Sequence, residues 1–279
     1  MFYNRNRYAG LSIRHDRQEP GEYTRFTMHT HTTAELFCFL DGNAVFHIEG
    51  SSYRMQPGDI LLMRPAEAHY VEQDPNGPYE RICLNFEPDI LGTLDPENQL
   101  MRPYYDREPG KRNLYRLSAD EVVKLRGYLD QILKTQDRLK AVANLILLMR
   151  QIDSLFEKAN GETSQPDTLE YRIIRYINEN LDGELALAEL CDKFFISRAQ
   201  LCRRFKKITG TSVGKYISAK RLIFARNLLL QGKKPTEVCA DCGYQDYSTF
   251  YRAYLNYFGC SPKDRQTPVN ENNDRLEII

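Results

Sequence analysis

The sequence has no apolar run approaching the roughly 18 residues that a membrane-spanning helix needs. Its first ten residues are polar and aromatic, unlike the basic start and apolar stretch of a secretory signal peptide. Its seven cysteines are an odd number and are scattered along the chain, which favours reduced thiols over a disulfide framework. These absences exclude a helical membrane protein and predict a protein of the cytoplasm.

The chain also lacks net charge, because its 38 basic and 38 acidic residues balance. The balance hides an asymmetry: residues 166–265 contain 17 basic and 11 acidic residues, for a net charge of +6. Residues 1–165 carry −4 and the last fourteen residues −2. Since Lys and Arg supply much of a protein's affinity for DNA phosphates, the basic segment is a first indication of nucleic-acid binding.

Length and hydrophobic pattern predict two domains. From about residue 23 to 87, short alternating strands separated by turn sequences predict a small antiparallel sandwich or barrel. From Ser118 onward, two stretches with helical spacing of apolar residues predict two amphipathic helices. Residues 160–168 have the polar, breaker-rich composition of a linker, and the sequence after Leu169 predicts helices throughout.

The most informative pattern is an internal repeat with an offset of 49 residues. Ser197 and Asp246 are predicted N-cap residues, whose side-chain oxygens accept hydrogen bonds from first-turn amides. Gln200 completes a capping box with Ser197, and Gly210 and Gly259 are the predicted stops of the two helices. The same offset superposes Leu201 on Phe250, Phe205 on Tyr254 and Ser212 on Ser261.

A shorter helix is predicted before each capped helix, at 187–193 in the first copy and 235–242 in the second. A helix, a tight turn and a second helix form a helix-turn-helix unit, whose second helix enters the DNA major groove. A helix over 213–231 is predicted to hold the two units at a fixed separation. The alternative is two compact helical hairpins with solvated charges, which would not need caps and stops at one offset. The predicted DNA-binding residues are Arg198, Ala199, Cys202, Arg203, Lys206, Tyr247, Ser248, Tyr251 and Arg252.

Residues 169–265 resemble, without a gap, the DNA-binding domain of the AraC/XylS family of transcription regulators. The resemblance is carried by residues 243–254, followed by Gly259-Cys260-Ser261-Pro262 and then Arg265. It implies that the two recognition helices enter adjacent major grooves and that the matched positions on their outward faces contact bases.

Two positions depart from that family's pattern. Tyr254 stands where the family usually has Phe, and Asn256 stands where a basic residue is common, which is expected to weaken one phosphate contact. Ala199 and Cys202 are small, so base discrimination is expected to depend on Arg203, which can bind guanine through two hydrogen bonds.

The front domain resembles a cupin barrel in the spacing of its histidines and one carboxylate. The first motif comprises His29, His31, Glu35 and Gly42, and a looser second motif ends at His69. Because His29 and His31 point to the same face of a strand, the three histidines and Glu35 could converge on one divalent metal ion. The favoured interpretation, implied by the resemblance to the regulator family, is that these residues are structural or face a ligand without metal.

A small barrel can also enclose one small molecule and contact it through a few polar groups. The resemblance to the regulator family implies an effector that is a sugar or a related metabolite. The side chains expected to face it are Arg14, Tyr23, His29, His31, Glu35 and His69.

Two further features have alternative interpretations. The helices at 118–159 have strong apolar faces; the family resemblance implies a dimer formed through them, and the alternative is that they pack only on their own barrel. The Cys239-x-x-Cys242 pair falls in a predicted helix and has no second pair, so it is interpreted as core thiols rather than a zinc or redox site.

The sequence therefore predicts an α+β multidomain protein. Its predicted parts are a cupin-like barrel (1–117), a helical dimerisation region (118–159), a linker (160–168), a double helix-turn-helix domain (169–265) and a polar tail (266–279).

The predicted function is that of a DNA-binding transcription regulator and not an enzyme. Its expected partners are double-stranded DNA, a small-molecule effector and a second copy of the chain, with RNA polymerase as a further candidate. One alternative is a metal-dependent cupin enzyme with a helical appendix. A second is a constitutive DNA-binding scaffold whose barrel has lost its ligand.

Overall fold

The computed structural model divides the chain into two compact units. The first unit comprises Met1–Phe26, Thr33–Arg64 and Val71–Gln165, and the second comprises Thr27–Thr32, Pro65–Tyr70 and Pro166–Ile279. The structure describes residues 2–22, 28–92, 94, 95, 97–156, 168–230, 232–264, 276 and 277. Tyr23, most of the predicted linker and most of the predicted tail lie outside the described residues.

The strands belong to two sheets. They are β1 (Phe2–Tyr8), β2 (Leu11–Gln18), β3 (His29–Thr30), β4 (Ala34–Gly42), β5 (Ala44–Ile48), β6 (Ser51–Arg54), β7 (Ile60–Met63), β8 (His69–Gln73), β9 (Tyr79–Phe86), β10 (Leu114–Tyr115) and β11 (Leu276–Glu277). The first sheet has the order β1-β2-β9-β4-β7-β10 and the second the order β11-β3-β8-β5-β6. The predicted β-rich front domain is confirmed, and its strands form two sheets rather than one closed barrel.

Strict alternation along the central strands gives the first sheet two different faces. On one face, Leu36 and Leu84 belong to an apolar cluster that also contains Leu129. On the other face, Phe37 and Cys83 belong to a second, separate cluster. Because neighbouring residues of a strand point to opposite faces, one sheet separates a helix-covered core from a second interior.

The helices of the first unit are α1 (Arg102–Tyr105), α2 (Ala119–Lys134) and α3 (Arg138–Phe156). Ser118 caps α2 in a capping box with Glu121, and the two amphipathic helices predicted after Ser118 are confirmed. Leu139 is an apolar residue of α3, yet it is 75% exposed. It lies two residues, about 200° of helix rotation, from the fully buried Ala141, which places it on the opposite face.

Apart from β3, the start of β8 and β11, the regular structure among the described residues of the second unit is helical. Its helices are α4 (Leu169–Glu179), α5 (Leu187–Phe194), α6 (Arg198–Thr209), α7 (Val213–Leu230), α8 (Pro235–Asp241) and α9 (Tyr247–Phe258). The pairs α5–α6 and α8–α9 are the two predicted helix-turn-helix copies, and α7 connects them. Among the described residues, no helix combines the length and apolar character that crossing a bilayer requires.

The predicted caps and stops of the repeat are confirmed. The Gln200 amide donates to Ser197 Oγ at 3.3 Å within a capping box, and the Thr249 amide donates to Asp246 Oδ1 at 2.8 Å. Both capped helices end at a glycine in the left-handed region, with φ of 75° at Gly210 and 72° at Gly259. Local chemistry alone therefore sets the bounds of both recognition helices.

Each helix-turn-helix copy has its own apolar core. The first core contains Leu201, Phe205 and Tyr216, and the second contains Phe250 and Tyr254. Since residues of α7 occur in both cores, this helix joins the copies through packing as well as through the chain.

The Cys239–Cys242 pair is part of the second core. Both thiols are buried, as the interpretation of core thiols requires. Burial raises the pKa of Cys242 to about 12, so the thiol is protonated and poorly suited to binding metal.

Candidate DNA-binding surface and sensor interior

The first recognition helix, α6, has a buried stripe and a basic outer face. Leu201, Phe205 and Thr209 are buried. The opposite side is exposed at four of the five predicted positions, while Cys202 is half-buried. The exposed predicted residues are Arg198, Ala199, Arg203 and Lys206.

The second recognition helix, α9, presents a more aromatic face. Ser248, Tyr251 and Arg252 are exposed, whereas Tyr247 is half-buried with its ring centroid 6.2 Å from that of Tyr251. The Arg252 Nε donates to the Ser248 carbonyl at 3.4 Å while the guanidinium remains at the surface. Arg203 and Arg252, the equivalent positions of the repeat, are thus both accessible to solvent.

The two recognition helices differ in charge. Besides the three predicted basic residues of α6, Lys207 is exposed on the same helix. On α9 the exposed basic side chain is that of Arg252. We therefore expect attraction of DNA phosphates to be stronger at the first helix than at the second.

One arginine of α6 takes part in packing instead. Arg204 Nε lies 2.9 Å from Glu170 Oε1 on α4, so this ion pair holds the first recognition helix against α4. Helical periodicity could exclude Arg204 from the outer face, but its partner is 34 positions away in sequence and could not be identified from the pattern.

Arg221 is a structural residue of the second unit that sequence reasoning missed. Its guanidinium donates to the carbonyls of Leu181 at 2.8 Å, Gly183 at 2.6 Å and Gly243 at 3.0 Å. It therefore ties the loop after α4 to the turn of the second helix-turn-helix. Gly243 has φ of 71°, and a Cβ there would lie 2.8 Å from Arg221 Nη2.

The interior face of the first sheet collects polar side chains from three neighbouring strands. Sequence alternation places every second residue of β2, β4 and β9 on this face. The cross-strand neighbours are Ser12 and Asn85, Arg14 and Cys83, Asp16 and Arg81, with Glu35 opposite Asn85 on the other side of β9.

Two arginines share one carboxylate on this face. Arg81 Nη2 lies 3.1 Å from Asp16 Oδ2, and Arg14 Nε lies 3.5 Å from the same oxygen. Burial lowers the pKa of Arg14, but the proximity of Cys83, Glu35 and Asp16 outweighs it, so the pKa is raised overall. The Arg14 side chain keeps 30% of its surface exposed, so this charged group is accessible from solvent.

Of the residues predicted to face a ligand, Arg14 and Glu35 lie on this interior face. Glu35 Oε2 accepts a hydrogen bond from Asn85 Nδ2 at 3.2 Å. Asp16, Arg81 and Asn85 were missed, although each lies on the same alternating pattern. The prediction for Tyr23 concerns a residue outside those described.

The three predicted histidines lie together in the second unit. His29 and His69 are paired across β3 and β8, with ring centroids 4.4 Å apart, and the His31 ring lies 5.0 Å from that of His69. The divalent ion that the sequence motif predicts stays a prediction.

Comparison with known families covers most of the chain. Residues 14–170, more than half of the sequence, match the family described as AraC-like ligand binding domain. Residues 190–267 match the family described as helix-turn-helix domain.

Similar proteins align with most of the chain. The HTH-type transcriptional activator RhaS of Citrobacter koseri is 25% identical over 248 residues, covering 86% of this chain and 87% of that protein. The probable transcriptional regulator LumQ of Photobacterium leiognathi is 25% identical over 238 residues, covering 85% of this chain and 90% of that protein. Among solved structures, apo ToxT from Vibrio cholerae matches with a TM-score of 0.42 and 12% identity, covering 91% of this chain and 96% of that one.

Proposed function

This chain belongs to the AraC-like family of transcription regulators, and from this membership we propose that a small molecule controls its binding to specific DNA sequences. The family matches assign it a ligand-binding domain and a helix-turn-helix domain.

The exposed, capped recognition helices carry this proposal. Arg203 and Arg252 occupy equivalent positions of the repeat, and both are exposed on helices whose other face is fixed in a core. A helix held in this way can enter a major groove without unfolding any of its packing. Two such helices joined by α7 can contact two successive grooves.

The contacts divide by chemistry. Arg203 is proposed to bind guanine through two hydrogen bonds, since a planar guanidinium matches the two acceptors of that base in the major groove. Arg198 and Lys206 are proposed to bind phosphates, which set position and affinity rather than sequence. On the second helix, Arg252 and the hydroxyl groups provide the polar contacts. The remaining proposed contacts are Ala199, Cys202, Tyr247, Ser248 and Tyr251.

The effector is proposed to be a sugar or a related polyhydroxylated metabolite. Asp16 and Glu35 offer acceptors on the interior face, while Arg14 and Arg81 offer donors, so the four side chains carry no net charge. Hydroxyl groups both donate and accept, and a neutral polyol therefore matches this mixed set better than an anion does. Phe37 on the same face supplies an apolar surface beside the polar groups.

The proposal is tested by selecting fragments bound by the purified protein from genomic DNA of its source. We expect one enriched sequence motif with two elements about one helical turn apart, confirmed by mobility shift. The logarithm of the binding constant should fall linearly with the logarithm of the salt concentration, with a slope of about −0.9 per phosphate contact. Absence of an enriched motif together with salt-insensitive binding would refute it.

A cupin enzyme is the competing assignment, and it requires a metal for activity. Here we infer a regulator, because the matching families are a ligand-binding and a DNA-binding domain. A protein stripped of metal that still binds its DNA motif supports the regulator. Turnover of a small molecule that requires the bound metal would support the enzyme instead.

The proposed partners extend beyond DNA. We propose that a second copy of the chain binds through α2 and α3, where Val123 and Leu139 expose 74% and 75% of their surface. RNA polymerase is a further candidate partner, and the cytoplasm is the proposed location. The dimer is tested by the substitutions given in the Discussion.

A further inference from the structure

The two recognition helices differ most at positions that the repeat makes equivalent. The offset of 49 residues superposes three residues of α6 on three of α9: Arg198 on Tyr247, Cys202 on Tyr251 and Lys206 on Leu255. Because successive members of each set are four residues apart, each set forms a stripe along its helix. The stripe of α6 is cationic at both ends, whereas the stripe of α9 consists of aromatic and apolar side chains.

The aromatic stripe, defined as Tyr247, Tyr251 and Leu255, reaches the surface at its last two members. Tyr251 exposes 36% of its surface and Leu255 exposes 39%. A phenol ring and a leucine one helical turn apart leave a continuous apolar surface in water, which a binding partner can cover.

Tyr247 holds the exposed ring of Tyr251 in place. The Tyr247 ring is half-buried, and its centroid lies 5.9 Å from that of the fully buried Phe250 and 6.2 Å from that of Tyr251. The three rings therefore form a series that leads from the core of the second helix-turn-helix to its surface. A side chain already supported by its neighbours loses less rotamer freedom on binding, which favours Tyr251 as a contact residue.

The surroundings of the aromatic stripe favour DNA over a protein as its partner. Ser248 and Arg252, which directly follow Tyr247 and Tyr251, are exposed and polar. The stripe thus lies beside a guanidinium on a helix that is proposed to enter the major groove. In that groove the bases offer hydrogen-bonding edges and, at thymine, an apolar methyl group. Thymines would present methyl groups to the stripe while a neighbouring base edge contacts Arg252.

The charge of the two helices supports the same assignment. The α6 helix contains five basic residues and α9 contains one, and neither contains an acidic residue. Attraction of phosphates therefore contributes much less to DNA binding at the second helix than at the first. Burial of methyl and ring surface is a source of affinity that does not require charge.

We propose that Tyr251, supported by Tyr247, contacts thymine methyl groups, so that the two halves of the DNA site differ in chemistry. The half bound by α6 contains the guanine proposed for Arg203, whereas the half bound by α9 contains thymines beside the base contacted by Arg252. Leu255 extends the apolar surface by one helical turn. This inference rests on the proposed function, because it requires α9 to enter the major groove.

The inference is tested on synthetic duplexes of the motif enriched in the genomic selection. The half bound by α9 is the one whose base preference changes in Arg252→Ala rather than in Arg203→Ala. Each thymine of that half is replaced by deoxyuridine, which removes the methyl group and keeps every hydrogen-bonding group. We expect binding to weaken about fourfold per contacted methyl, the factor that corresponds to about 0.8 kcal/mol. The same replacement in the DNA that flanks the motif is the control and should leave affinity unchanged.

Variants of Tyr251 separate the methyl contact from other roles of this residue. Tyr251→Ala should bind the thymine and deoxyuridine duplexes equally, whereas Tyr251→Phe should retain the difference because the ring remains. Cys202→Ala, at the equivalent position of α6, is the matched control and should retain the difference as well. Melting temperatures check folding, and Tyr251→Gln takes the place of Tyr251→Ala if the latter is unstable.

Equal affinity of the parent protein for the two duplexes would overturn the inference and leave the aromatic stripe to a protein partner. Retention of the difference in Tyr251→Ala, or its loss in Tyr251→Phe, would overturn the role of the Tyr251 ring. An enriched motif without thymine in the half bound by α9 would overturn the inference while leaving the proposed function intact. Absence of any enriched motif would instead refute the proposed function.

Discussion

Adjacent residues of one helix can have opposite roles. Arg203 and Arg204 are both exposed arginines of α6, but Arg204 pairs with Glu170 while Arg203 faces away from the core. The difference is one residue, or about 100° of rotation around the helix axis. Residue type alone therefore does not identify the outward face of the helix, whereas position relative to the buried stripe does.

Replacing Arg203 by Ala should relax specificity at one base pair. Loss of a two-hydrogen-bond contact to guanine is expected to cost about 1–3 kcal/mol for the preferred base and much less for the other three. Binding to a panel of operator variants measures this. Arg204→Ala is the matched control and should leave base preference intact, with a stability loss of about 0.5 kcal/mol. Uniform weakening across the panel would identify Arg203 as a phosphate contact instead.

Replacing Arg221 by Met should destabilise the second unit. Three carbonyl acceptors lose a charged donor, and a single such hydrogen bond contributes about 1.5–3 kcal/mol, so we expect a loss of about 2 kcal/mol or more. Urea unfolding measures the free-energy difference. Arg198→Met, at an exposed position of α6, serves as the control. A loss below about 0.5 kcal/mol would show that water replaces the guanidinium at all three carbonyls.

At the scale of elements, the two recognition helices use different caps for the same purpose. The α6 helix begins with an uncharged capping box, whereas α9 begins with the carboxylate of Asp246. A carboxylate that accepts amide hydrogen bonds at a helix start is stabilised in its charged form. The backbone hydrogen bond from Thr249 accordingly lowers the pKa of Asp246.

The α9 helix should therefore be sensitive to acid where α6 is not. Because the folded pKa of Asp246 is depressed, its stabilisation is complete above the unfolded value of about 3.9 and is lost as the pH falls through the folded pKa. Asp246→Asn keeps an acceptor but cannot titrate. We expect the stability difference between parent and variant to shrink as the pH falls below about 4.

Urea unfolding at several pH values measures that difference, with Asp192→Asn as an exposed acidic control outside any cap. The same pH dependence in both variants would mean that the general charge of the protein, rather than the cap, is responsible.

At the scale of the whole molecule, regulation requires that ligand state and DNA affinity be linked. A ligand can shift an equilibrium only by its difference in affinity between two arrangements. We propose the charged interior face of the first unit as the place where such a ligand binds. Pairing of two chains would add a further level, because two copies present four recognition helices.

The dimer proposal predicts that polar substitutions on α3 produce monomers. Leu139 and Leu147 are two turns apart and expose 75% and 51% of their surface. Changing both to Glu should place charges in the interface and dissociate the dimer, as measured by sedimentation equilibrium. Leu94→Glu, at a position that is 63% exposed outside these helices, is the control. A parent protein that is already monomeric would show that the helices serve only their own sheet.

The sequence by itself determined the twin recognition helices, their caps and their stops. These features depend on contacts within about four residues, so Ser197, Asp246 and Gly210 specify them without knowledge of the rest of the chain. Alternation likewise predicted the strands from about residue 23 to 87.

Only the tertiary structure decided which distant groups meet. Strand pairing decided that the front domain has two sheets, and it brought Asp16 and Arg81 together from strands more than sixty residues apart. Core packing also joined the segments that carry His29 and His69 to the helices of the second unit. Such contacts depend on the whole arrangement of the chain, because no local sequence pattern indicates which backbone carbonyl or which apolar core a distant side chain will contact.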